Sequence, residues 1–372
     1  MEKLKIVVIS KYLFPQLTPR AFRTTELAEE LARQGHDVTI YAVLGDYDYS
    51  SFEKETNVKV RNMKMLFATA NSDGNVRYNL FDKILYHGLN RIFDFPDIEF
   101  LFKVLSVIKV EKSADMLITI AVPHSIHWGG ALAKNIYHKS FPKTWVSDCG
   151  DPYMGSSFSG NKRKYLLHFK LLEKWWCKNT NYITIPIEEG RNGYYSEFHN
   201  KIKIIPQGFN FEKTPIDVYS KNIVPTFIYA GSFHGKLRNP EKFLEFLNTL
   251  DFDYKFIIYT NTKLFDKYLS LLKGKLEIKD YIPRKNLIFE LSKADFLINF
   301  SNPDKLHSPS KLIDYSITRR PILNISSDFT EETVFYEFIE NNYTNMVEFD
   351  NLEDYNIKNV AKKFLTLCKK ND

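Results

Sequence analysis

Apolar residues along the chain fall into short continuous runs separated by longer amphipathic stretches. Ile6-Val7-Val8-Ile9, flanked by lysines, reads as a strand buried on both faces. From Arg20 to Gln34, Leu27, Ala28 and Leu31 keep helical spacing, and Gly35 stands where a helix takes its left-handed terminating residue. Further strands are predicted over 38–43, 116–122, 144–147 and 182–187. The rhythm restarts after Pro206-Gln207-Gly208, with strands predicted over 226–230, 254–259, 276–278, 296–300 and 322–325. Short apolar runs alternating with helical patterns predict an α/β chain whose parallel sheets are covered on both faces. Two such units in succession predict two doubly wound domains, 1–210 and 211–372. Their junction is expected within 206–225, and the last helix is expected to pack back on the first domain. Ligands of such sheets bind beyond the carboxyl ends of the strands, so the loops after each strand are where chemistry is expected.

Composition adds limits. A length of 372 residues exceeds one comfortable core. Cys149, Cys177 and Cys368 are widely separated and odd in number, which fits a reducing compartment and argues against a disulfide framework or a zinc site. The opening apolar run is too short for a signal peptide. The uncharged stretch 116–133 contains Pro123, His124, His127 and Gly129-Gly130, so it does not read as a membrane span. A cytoplasmic protein is expected. Of the charged residues, 28 Lys and Arg stand against 22 Asp and Glu in residues 1–205, and 23 against 23 in the rest. The basic excess of the first half suits phosphates, nucleic acid or an anionic membrane face. No nucleic-acid motif accompanies it, which sets nucleic acid aside.

Two loops of the second half carry the strongest local chemistry. Ser308-Pro309-Ser310-Lys311 reads as an N-cap, an N1 proline and free backbone N–H groups, an arrangement that takes an anion. Asp314 lies one turn on, within reach of sugar hydroxyls or, in the plainer reading, of Lys311 as a surface pair. Gly231-Ser232 through Lys236, Arg238, Asn239 and Pro240 follows the first strand of this domain, and its two basic groups suit a diphosphate. In the first half, Lys162-Arg163-Lys164 runs into Leu166, Leu167, Phe169, Leu171, Leu172, Trp175 and Trp176, and with Lys170, Lys174 and Lys178 these basic residues stand against Glu173 alone. This segment reads either as core or as a face for an anionic membrane.

Taken in order, these segments resemble glycosyltransferase family 4, in its bacterial surface-polysaccharide branch. The likeness runs through Ile9-Ser10-Lys11-Tyr12, Val122-Pro123-His124-Ser125, Asp148-Cys149-Gly150-Asp151-Pro152, Ile205-Pro206-Gln207-Gly208, Tyr229-Ala230-Gly231-Ser232, and Ser310-Lys311-Leu312-Ile313-Asp314 with Arg320-Pro321. The resemblance implies the GT-B fold, two Rossmann-like domains facing across a cleft. It implies transfer of a sugar from a nucleotide-diphosphate sugar, a UDP-sugar, to a glycan or polyprenyl-linked acceptor, with retention and with neither metal nor separate cofactor. On this basis Lys236, Arg238, Ser310 and Lys311 stabilise the departing diphosphate. Gly231, Ser232 and Ser308 shape its loops, Asp314 holds the ribose, and Tyr281-Ile282 hold the base. His124, with His127 next, touches the transferred sugar. In the plainer reading His124 and His127, three apart, cap or line a buried loop, and with no third ligand in the sequence a metal site is not expected. Asp148 and Asp151 orient the acceptor or act as base, or else form a turn before Pro152. The sequence departs from the pattern at Gly150, where an Arg is expected, and at Leu306, where a Glu is expected, with Asp304 as a stand-in. These departures motivate two rivals, a nucleotide-sugar epimerase of the same fold and a catalytically degenerate partner subunit.

Overall fold

The computed structural model describes residues 2–16, 18–66, 68–70, 76–78, 93–155, 166–233, 239–261, 266–300, 310–348 and 351–368. The chain divides into two compact units, Met1–Phe209 with Asp354–Asp372, and Asn210–Glu353.

The first unit runs β1 (Lys5–Ser10), α1 (Pro19–Arg33), β2 (Asp37–Ala42), α2 (Ser50–Thr56), β3 (Lys59–Asn62), β4 (Ala68–Ala70), β5 (Val76–Tyr78), α3 (Phe100–Val110), β6 (Met116–Ile120), α4 (Ser125–Ile136), β7 (Thr144–Asp148), α5 (Leu167–Asn179), β8 (Tyr182–Ile185) and β9 (Ile202–Ile204). Its seven-stranded sheet has the order β3-β2-β1-β6-β7-β8-β9 and is parallel throughout. β4 and β5 pair antiparallel, apart from it. Alternate residues of β1 serve opposite faces, Val7 and Ile9 on one and Ile6 and Val8 on the other. That is why the run reads as continuously apolar.

α1 begins where the sequence allows it. Thr18 Oγ1 accepts from the Ala21 N–H at 3.2 Å, Pro19 opens the helix, and Gly35 beyond its end has φ +95°. β6 and β8 stop short of the predicted ends because Pro123 and Pro186 follow and offer no ladder donor. β3 and β9 lie at the sheet edges, and the sequence reading missed both. β3 buries only Val60 of its four residues, so no apolar run marks it.

The second unit runs β10 (Thr226–Ala230), α6 (Glu241–Leu247), β11 (Lys255–Tyr259), α7 (Asp266–Leu271), β12 (Leu276–Lys279), α8 (Arg284–Ser292), β13 (Phe296–Phe300), α9 (Ser310–Ile317), β14 (Ile322–Ile325) and α10 (Glu332–Ile339). Its parallel sheet has the order β12-β11-β10-β13-β14. Phe227 stacks on Phe256 and Phe296 at centroid distances of 4.9 and 5.0 Å, with Phe243 and Phe335 around them. Much of the chain's aromatic content therefore fills this core. The final helix, α11 (Ile357–Cys368), lays Val360, Ala361, Phe364 and Leu365 into the core of the first unit. Gly208 makes room for it: a Cβ there would lie 2.4 Å from Ile357 Cδ1.

Candidate functional site

In both sheets the strand order reverses beside the first strand of the unit, between β1 and β6 and between β10 and β13. A crevice opens at such a point, and the loops leaving those strands line it.

In the second unit the loop after β10 and the start of α9 meet there. Gly231 has φ +149°, and a Cβ on it would sit 2.7 Å from Lys311 Nζ. Only a glycine lets the ammonium come this close to the backbone. Lys311 Nζ is shielded from solvent and lies 3.9 Å from the centre of the Tyr229 ring, whose hydroxyl donates to Ser232 O at 3.1 Å. Tyr315 of α9 is fully buried and its hydroxyl accepts from the Ala230 N–H at 2.8 Å, tying the helix to the end of β10. Ser232 Oγ and Tyr281 Oη are 2.7 Å apart, which joins the loop after β10 to that after β12. Beside it, Tyr259, Ile282, Asn286 and Phe289 line an open groove of about 680 Å³ at the ends of β11 and β12.

Asp314 does not pair with Lys311, as the plainer reading of the sequence has it. Its Oδ1 accepts from Arg284 Nε at 3.0 Å, on the neighbouring helix α8. Burial raises the Asp314 carboxyl above its ordinary value, and Arg284 offsets part of that rise. Arg284 was not singled out from the sequence. Asn239 Oδ1 accepts from the Glu241 N–H at 3.0 Å, but Pro240 holds the N-cap position of α6 and no side chain caps the helix from there, so Asn239 and Pro240 do not form the N-cap and N1 pair that their order suggests. Lys236, Arg238, Ser308, Asp304 and Leu306 lie outside the described residues. Ser310 is the first residue of α9.

In the first unit, His124 is 6% exposed at the turn after β6, its ring 4.7 Å from that of Tyr153. Ser125 Oγ donates to Asp97 O at 2.6 Å, and Lys11 Nζ, from the loop after β1, bonds the Asp97 carboxylate at 2.7 Å. His127 is fully buried and burial pulls its pKa down to about 3, so it is neutral. Its Nδ1 lies 2.9 Å from Thr119 Oγ1, which accepts from Trp145 Nε1 at 2.9 Å. Its Nε2 lies 3.3 Å from Cys149 Sγ. Register accounts for this meeting, since Thr119 of β6 pairs with Ser147 of β7. The fold thus supplies beside His124 and His127 the third group that the sequence did not show.

Asp148 and Asp151 separate into different roles. Asp148 is buried and accepts from Arg23 Nη2 at 2.8 Å, Arg23 Nε at 3.0 Å and Thr184 Oγ1 at 2.7 Å. Burial alone would raise its pKa, but Arg23 and Arg20 outweigh it and hold the carboxyl below its ordinary value. Its partners make it a structural anchor. Asp151 is exposed, in the bend before Pro152. Gly150 leaves a space that Arg20 of α1 fills, since a Cβ there would lie 1.9 Å from Arg20 Nη2. A guanidinium therefore occupies this position, delivered by another element.

No protein-family model and no curated protein sequence matches the chain. Solved structures do. A glycosyltransferase from Rickettsia africae ESF-5 superposes with a TM-score of 0.63 at 12% identity over 100% of both chains. The lipopolysaccharide outer core galactosyltransferase WaaB, in its apo form, gives 0.56 at 11% identity over 98% of this chain and 99% of its own. A complex of S. aureus MnaA with UDP gives 0.51 at 13% identity over 97% and 95%. These likenesses fix the fold: two Rossmann-like domains in one chain, the GT-B architecture.

Proposed function

We propose that the chain is a glycosyltransferase that takes a sugar from a nucleotide-diphosphate sugar, a UDP-sugar, in the assembly of a bacterial surface polysaccharide. The observation that carries this reading is the convergence of Gly231, Ser232 and Lys311 at the switch point of the second sheet. A backbone stripped of its side chain, a helix start and a buried ammonium together suit a diphosphate. Lys311 neutralises charge that grows on the diphosphate as the glycosidic bond breaks. The groove beside Tyr281-Ile282 takes the base, with Tyr259 and Phe289 offering aromatic surface. Asp314, held by Arg284, faces the ribose hydroxyls. His124 touches the transferred sugar, and exposed Asp151 orients the acceptor. Lys236, Arg238, Ser308 and Ser310 complete the phosphate loops. The transfer proceeds with retention and without a metal.

Fold likeness to a UDP complex and to a lipopolysaccharide galactosyltransferase supports the donor and acceptor class. The acceptor is a glycan or polyprenyl-linked saccharide on the cytoplasmic membrane face. No helix among the described residues is long and apolar enough to cross a membrane. α5 divides its apolar residues: Phe169 and Trp176 are core, while Leu167 and Leu171 are 69% and 58% exposed on the helix that carries Lys170, Lys174 and Lys178. Such a strip suits peripheral contact with anionic lipid.

The test is nucleotide release. Full-length protein, incubated with individual UDP-sugars and lipid-linked saccharides extracted from bacteria, should release UDP only when acceptor is present. Lys311→Ala should lower that rate at least a hundredfold. Release without acceptor, or an equal rate in the variant, would count against the reading.

A further inference from the structure

One buried cluster in the first unit has no part in binding a nucleotide. His124, His127 and Cys149 are 6%, 0% and 1% exposed. One nitrogen of each ring and the cysteine sulfur all lie within 4.8 Å of one another. They reach this point from two pieces of chain: the turn after β6 that opens α4, and the residue after β7. A thiol–imidazole hydrogen bond accounts for two of the groups, Cys149 and His127.

The orientation of His127 fits a ligand. Its Nδ1 is engaged by Thr119 Oγ1, itself fixed by Trp145 Nε1, which leaves Nε2 directed at the sulfur 3.3 Å away. Metal-binding histidines are held in this way by a bond to the other ring nitrogen. A tetrahedral ion with bonds of about 2.0 Å to nitrogen and about 2.3 Å to sulfur holds its ligand atoms roughly 3.3–3.6 Å apart. The Cys149–His127 edge already has that length. The two edges to His124 are no longer than 4.8 Å.

We propose that His124, His127 and Cys149 form a site for a soft or borderline transition-metal ion of the Zn²⁺ or Cu⁺ class. Two imidazole nitrogens and one thiolate match that class, and no carboxylate is in the set to favour Mg²⁺ or Ca²⁺. On binding, the Cys149 S–H bond breaks, the sulfur keeps the electron pair as the bond to the ion forms, and the proton passes to solvent. No oxidant or reductant takes part. The ion is not the metal of the transfer reaction. It holds His124, so a filled site inhibits transfer. That consequence rests on the role given to His124 above, whereas the site itself rests only on the geometry of the first unit.

The test uses reduced, metal-free, full-length protein titrated with Co²⁺ and followed by absorption, with Zn²⁺ then added as competitor. The expected result is one Co²⁺ per chain, a thiolate-to-cobalt charge-transfer band in the near ultraviolet, and loss of that band on adding Zn²⁺. Cys149→Ser, nearly isosteric, should abolish the band, and Cys149→Ala should do the same if the serine variant folds poorly. His124→Asn should weaken binding at least tenfold. Cys177→Ser and Cys368→Ser should leave the spectrum as it is. Absence of a charge-transfer band, or a band that survives in Cys149→Ser, overturns the site. Inhibition of UDP release by Zn²⁺ is read separately, so failure of the metal site and failure of the transferase reading give different results.

Discussion

At the scale of single residues, Gly231 and Glu173 each sit in a constrained environment with a measurable consequence. Gly231 combines a φ of +149° with a contact that any side chain would push against Lys311. Gly231→Ala should therefore cost about 1–3 kcal/mol of stability and displace the ammonium. We expect UDP binding, measured by calorimetry, to weaken at least tenfold. Glu173 of α5 is 1% exposed and accepts from the Met154 N–H at 3.3 Å, holding the loop that contains Asp151. Burial raises its pKa to about 7 from 4.5, against the pull of the Met154 and Tyr153 amides. The folded chain binds this proton more tightly than the unfolded one. Its contribution to stability is present below about pH 4.5 and is lost as the pH rises through about 7. Cys149, Cys177 and Tyr194 around it stay neutral across that window, because burial pushes each of them up. Lys174 on the same helix faces Glu197 instead. Glu173→Gln should flatten stability between pH 4.5 and 7 and raise it at pH 8 by on the order of 3 kcal/mol, read from urea melts. The sequence marks the glycine, because it follows a strand and precedes basic residues. It does not mark the glutamate, whose burial depends on a helix face that only packing defines.

At the scale of elements, the repeated strand–helix alternation was legible, as were all five strands of the second sheet, because buried parallel strands are apolar on both faces. Edge strands β3 and β9 escaped for the opposite reason. Pairings across elements were less legible. Asp314 with Arg284 and Cys149 with His127 depend on neighbouring helices and on strand register, which no local pattern encodes. Gly129-Gly130 belongs here as well. Both lie in α4, where a Cβ on Gly129 would meet Phe100 O and Val104 Cβ at 2.7 Å, and one on Gly130 would meet Trp145 Cζ2 at 2.4 Å. The glycines let α4 lie close against α3 and β7. Gly129→Ala meets a backbone atom that cannot swing aside and should destabilise the chain by about 1–3 kcal/mol in denaturant melts.

At the scale of the whole molecule, the basic excess lies in residues 1–205, while the loops proposed to hold the diphosphate belong to the second unit. The excess therefore speaks for a surface rather than for the donor. If α5 meets anionic lipid, Leu167→Glu with Leu171→Glu should reduce sedimentation with phosphatidylglycerol vesicles by tenfold or more. The melting temperature should stay within a few degrees, since both side chains are exposed. The central claim is a nucleoside-diphosphate site built around Lys311, and the most direct measurement is a thermal-shift screen of the full chain against UDP, GDP, CDP, ADP and dTDP, repeated on Lys311→Ala. At about 100 times its dissociation constant a ligand stabilises the native state by roughly 2.7 kcal/mol. The account predicts a shift with UDP that the variant loses. No shift with any of the five, or the same shift in Lys311→Ala, would contradict it.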